Sequence, residues 1–73
     1  MSSIQEIKKR IIPSELVYVH DEPREYHGAW VVDYATKQEG FPIRSKEIRF
    51  KTQLEAEELI ETLLTEFGAQ KLS

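Results

Sequence analysis

The chain contains no cysteine, which removes a disulfide framework, a thiolate nucleophile and any cysteine-ligated zinc site together. No apolar run approaches the roughly 18 residues that a membrane-spanning helix needs, and Met1 to Arg10 is polar and charged rather than a hydrophobic leader. A soluble, cytoplasmic chain with no membrane association is the expectation. Glycine and proline are scarce, three of each in 73 residues, and there is no internal repeat, linker or low-complexity segment. Carboxylates are so numerous that no pair of them is diagnostic of acid/base chemistry, and no nucleophile stands beside a base. The chain is therefore expected to be non-catalytic, with no cofactor.

What is present is a chain of single-domain length. A domain this small buries only about 60% of its unfolded surface, so its stability is marginal unless a partner or a second copy covers more of it. The net charge is −3, but the charges are segregated. Lys8, Lys9 and Arg10 oppose Glu6 near the start, and Arg44, Lys46, Arg49 and Lys51 oppose Glu47 between Ile43 and Lys51. By contrast, Glu15 to Glu25 is acidic, and Thr52 to Phe67 carries five glutamates and no base. This polarity suits a charged partner, whereas the acidic total argues against broad, non-specific nucleic-acid binding.

The clearest local signal is the junction from Ile48-Arg49-Phe50-Lys51 into Thr52-Gln53-Leu54-Glu55. Thr52 and Glu55 have the spacing of a capping box. Beyond them Ala56, Leu59, Ile60, Leu63, Leu64 and Phe67 recur on one helical stripe, and Gly68 can terminate the helix in a left-handed conformation. Near the N-terminus, Ser3 and Glu6 form a second possible capping box, with Ile4, Ile7 and Ile11 at helical spacing until Pro13 forbids continuation. A helix is predicted from about Ser3 to Ile11.

Between the helices, Glu15 to His20 alternates as a strand, with Leu16, Tyr18 and His20 on one face and Val17 and Val19 on the other. Asp21 to Gly28 reads as a loop. Ala29 to Thr36 is a second strand with Trp30, Val32 and Tyr34 on one face and Val31, Asp33 and Ala35 on the other. Lys37 to Pro42 reads as a turn into a third strand over Ile43 to Lys51, where Ile48 and Phe50 share a face opposite Glu47, Arg49 and Lys51. The expected architecture is a single α+β domain over residues 1–73, an α-β-β-β-α chain with a three-stranded antiparallel sheet and a frayed end over residues 69–73.

Three groups of residues carry functional possibilities. His20 and His27 bracket the first loop beside Asp21, Glu22 and Glu25, but their spacing matches no metal-ligand pattern, so solvated loop residues are expected and no metal. Arg44, Lys46, Arg49 and Lys51, with Tyr18, Trp30 and Tyr34 on neighbouring strands, could hold phosphates and stack bases. The competing reading puts the aromatics in the core and the charges on the solvated side of a half-buried sheet. Glu57, Glu58 and Glu61 could dock onto a basic surface of a protein partner, against the commoner role of solvating an amphipathic helix.

Gly28-Ala29-Trp30-Val31-Val32-Asp33-Tyr34, together with Ile48-Arg49-Phe50-Lys51-Thr52-Gln53-Leu54-Glu55-Ala56-Glu57, resembles the arm-type DNA-binding domain of tyrosine recombinases over about half the chain. That resemblance implies a three-stranded sheet entering the major groove, with base or phosphate contacts from Arg44, Lys46 and Arg49. The chain departs from the family in being acidic. The element order is also similar to the double-stranded-RNA-binding fold, without the lysine cluster that this family places at the start of its second helix. The leading expectation is a non-catalytic protein-interaction domain, a small regulator or inhibitor that binds another protein. A nucleic-acid-binding module using the third strand is the alternative, and self-association is compatible with either.

Overall fold

The computed structural model describes residues 4–72. The elements are α1 (Ile4–Arg10), β1 (Leu16–His20), β2 (Arg24–Tyr26), β3 (Ala29–Thr36), β4 (Arg44–Phe50), α2 (Gln53–Thr65) and β5 (Gln70–Leu72). The fold is α+β as expected, but its sheet has five strands rather than three. The Ser3 cap lies outside the described residues.

β3 is the centre of the sheet. β4 runs antiparallel along its residues Trp30 to Thr36, so the other edge of β3 is shared, with β1 pairing at Tyr34 to Thr36 and β2 at Ala29 to Val31. β1 and β2 are thus two arms of one strand, interrupted at Asp21 to Pro23. The turn from β2 to β3 passes through His27 at φ 50° and Gly28 at φ 81°, the two positive dihedrals of a type I′ hairpin. β2 is missed in the sequence because Arg24-Glu25-Tyr26 buries nothing; backbone pairing makes it a strand, not an apolar pattern.

β5 is the second departure. Gly68 turns the chain at φ 71°, the Ala69 N–H donates to the Leu63 carbonyl at 3.0 Å, and Gln70 to Leu72 then pair parallel with Tyr18 to His20. The end expected to fray is therefore held to β1, with the Asp21 N–H donating to the Leu72 carbonyl at 2.9 Å.

α2 lies over the face of the sheet that presents Val19, Val32, Tyr34 and Phe50, and buries Ala56, Leu59, Ile60 and Leu63 against it. α1 packs on α2, with Ile7 and, just after the helix, Ile11 buried in the same core. Trp30 and Ile48 border this core half-buried. In β1 the register shifts between Leu16 and Tyr18, since Leu16 opposes Thr36 while Tyr18 opposes Ala35. This bulge at Val17 breaks the expected alternation. Leu16 joins Val19 on the helix side, and Tyr18 and His20 face the open side. Thr52 caps α2, its Oγ1 accepting from the Glu55 N–H at 3.3 Å and donating to Glu55 Oε1 at 2.9 Å. The return bond therefore runs between side chains instead of to the cap amide. Among the described residues no helix is long and apolar enough to cross a membrane.

Candidate functional site

The open face of the sheet is a charge network that cancels itself. Arg24 reaches across to β3 and donates to both Asp33 oxygens, Nε to Oδ2 at 2.7 Å and Nη2 to Oδ1 at 3.1 Å, while Nη2 also donates to Glu47 Oε2 on β4 at 2.9 Å. Arg49 approaches Glu47 Oε1 at 3.4 Å. The hydrogen bond to Asp33 pushes the Arg24 pKa above its ordinary value; desolvation opposes this, and the charges of Asp33 and Glu47 add to it. Both guanidinium carbons lie near the Tyr26 ring, 5.7 Å from its centroid for Arg24 and 5.9 Å for Arg49. By register Arg24 and Arg49 flank Val31, which is fully buried outside the main core, so their aliphatic stems act as its cover. Two cations facing two carboxylates leave no surplus positive charge here for phosphates.

The four basic residues expected to act together are divided by the pleat. Arg44 opposes Thr36 and Lys46 opposes Tyr34, which puts both on the helix side, whereas Arg49 opposes Val31 on the open side. Lys51 is exposed in the bend before α2. The aromatics divide as well, Trp30 and Tyr34 turning towards the helices and Tyr18 lying on the open face edge-on to His20, with ring centroids 6.3 Å apart. Arg44 and Lys46 do share a pocket of about 120 Å³ with Phe41, Thr36 and Glu15. His27 packs edge-on against Tyr26 at 4.2 Å, and among the described residues no group of three or more histidines and carboxylates is arranged to hold a metal ion.

The acidic surface is concentrated on α2. Glu57, Glu58 and Glu61 are all exposed, and Glu57 accepts from Gln53 Nε2 at 2.9 Å. Glu58 and Glu61 line a groove of about 390 Å³ between the helices, with Ile4, Lys8, Thr62 and Glu66. Lys8 Nζ closes one part of it on Glu66 Oε1 at 3.0 Å. Among the described residues the ion pairs are those of Lys8, Arg24 and Arg49 with Glu66, Asp33 and Glu47, and none of them involves Glu58 or Glu61. Glu66, at the C-cap, meets the negative end of the helix dipole with no base in the last turn of α2. That placement works against helix stability, and Lys8 offsets it.

No family model, no curated protein and no solved structure matches this chain. The functional conclusion therefore rests on these three surfaces. Sequence reasoning located Glu57, Glu58 and Glu61 correctly on one helix but missed the Arg24–Asp33–Glu47 network. A carboxylate in the middle of the central strand, flanked by Val32 and Tyr34, was the available signal, because a charge so placed needs a partner on a neighbouring strand.

Proposed function

We propose that the protein is a non-catalytic interaction module, a small cytoplasmic regulator that docks its α1/α2 face onto a basic segment of another protein. The supporting observation is the contrast between its charged surfaces. On the open sheet face the charges of β2, β3 and β4, which are Arg24, Asp33, Glu47 and Arg49, all meet an opposite charge, whereas among the described residues Glu58 and Glu61 line an open groove without an ion pair. Carboxylates without internal partners keep their attraction for lysine and arginine of a ligand, and they steer its approach. The test is an NMR titration with a short lysine- and arginine-rich peptide at low and moderate salt. Shifts should centre on Glu58, Glu61, Thr62 and Thr65, fade with salt, and vanish in a folded Glu58→Lys, Glu61→Lys double variant. Shifts spread equally over Glu22, Glu39 and the groove, or no shift at low salt, would overturn the proposal.

Nucleic acid is the second candidate partner, the one that the likeness to recombinase arm domains implies. It is favoured by one feature, the pairing of Arg44 and Lys46 with exposed Phe41 in a single pocket. Duplex DNA and RNA in the same titration discriminate: salt-sensitive shifts at Arg44 and Lys46 that disappear in Lys46→Glu would replace the protein-docking proposal.

A further inference from the structure

β4 pairs with β3 along one edge, and among the described residues no strand pairs along its other edge. A seven-residue edge with exposed side chains from Arg44 through Glu47 is a template for another strand. We infer that a second copy of this chain occupies it, β4 against β4, antiparallel about a two-fold axis through Ile48.

The order of charges in β4 selects that axis. A two-fold axis perpendicular to the sheet keeps both copies' helices on the same side and must pass beside one residue, which then faces its own counterpart. Centring it on Arg44, Lys46, Glu47 or Arg49 sets a charge against itself, centring it on Ser45 sets Arg44 against Lys46, and centring it on Phe50 sets Arg49 against Lys51. Directly opposed like charges destabilise a strand pair. Centred on Ile48, the register sets Glu47 against the partner's Arg49 and Arg49 against the partner's Glu47, with no like charges opposed. Ile48 meets the partner's Ile48 on the helix side, and Lys46 lies opposite the partner's Phe50. Within one copy Glu47 keeps Oε2 on Arg24 at 2.9 Å, but its Oε1 and Arg49 are only loosely joined at 3.4 Å, long for a charge-assisted hydrogen bond, so Arg49 and that oxygen can meet a partner. Exposed Ile43 and Leu54 stand at opposite ends of β4, and antiparallel pairing sets the Ile43 end of each copy beside the Leu54 end of the other. The contact is a single strand pair, so the dimer forms and dissociates with concentration.

The absence of cysteine allows a register-specific test. Directly opposed residues of an antiparallel pair have Cα atoms roughly 4.5 to 5.5 Å apart, within disulfide reach. Under mild oxidation Ile48→Cys should cross-link into a dimer. Ser45→Cys should not, because two copies of residue 45 would lie roughly 20 Å apart. In sedimentation runs without oxidant, the wild type should shift from monomer to dimer as concentration rises. Glu47→Arg and Arg49→Glu should each move that shift to at least tenfold higher concentration, and the double variant, which restores complementarity, should recover it. A monomer up to millimolar concentration, a dimer that persists while Ile48→Cys fails to cross-link, or equal cross-linking of both cysteine variants would overturn the inference.

Discussion

Arg24 on β2 and Asp33 on β3 are joined by two hydrogen bonds, Nε to Oδ2 at 2.7 Å and Nη2 to Oδ1 at 3.1 Å. β2 contributes no side chain to the core, so this fork and its short ladder are what hold it. Asp33→Asn keeps the shape and removes the charge. Amide exchange at 24–26 and 29–31 should then accelerate in NMR hydrogen-exchange experiments, with the amides of α2 unchanged. Equal acceleration in α2 would mean that the pair supports the whole fold.

The hairpin turn carries strain that can be relieved. His27 sits at φ 50°, where a non-glycine residue costs about 1–2 kcal/mol and asparagine costs less. His27→Asn should raise the melting temperature by a few degrees. Gly28→Ala should lower it, and a Cβ at Gly28 would touch nothing within 4 Å, so that loss measures backbone strain alone.

Removing the α2 cap should be visible in a domain this small. Thr52→Ala leaves the Glu55 N–H without its 3.3 Å acceptor and should cost about 1 kcal/mol, or roughly 4–8 °C in melting temperature. Thr52→Ser should restore most of it.

Two leucines five residues apart in α2, and so on different sides of it, should behave oppositely. Leu59 is fully buried, whereas Leu54 is 66% exposed. Leu59→Ala should cost about 2–5 kcal/mol, a large share of the total stability of a small domain, and leave the chain partly unfolded at room temperature. Leu54→Ala should stay within about 0.5 kcal/mol by urea denaturation.

Alkaline pH should weaken the fold through Tyr34. Burial raises its pKa above the ordinary phenol value of 10.0, so the folded state holds the proton after the unfolded chain has released it. Its contribution is complete below about pH 10 and is lost as pH rises through the folded-state value. Tyr34→Phe should flatten the decline in melting temperature above pH 10.

Both helices, the central strand and the α+β class were legible because their signals are local. Thr52 and Glu55 lie three residues apart, the apolar stripe of α2 repeats every turn, and β3 alternates over its whole length. The bulge at Val17 left no such mark, since Leu16 and Val19 reach the same face only because β1 slips against Ala35 and Thr36.

The two helices, the central strand and the segregation of charge along the chain are thus properties of neighbouring residues. The use made of those charges is not. Arg49 faces Glu47, while Arg44 and Lys46 point to the other side, because alternation within a paired strand divides any run of like residues between two faces. β5 became a strand only when the crossover through α2 brought Gln70 to Leu72 beside β1. Glu58 and Glu61 became the walls of a groove only when α1 packed on α2. Each of these depends on contacts between residues far apart in the chain, which no pattern of near neighbours encodes.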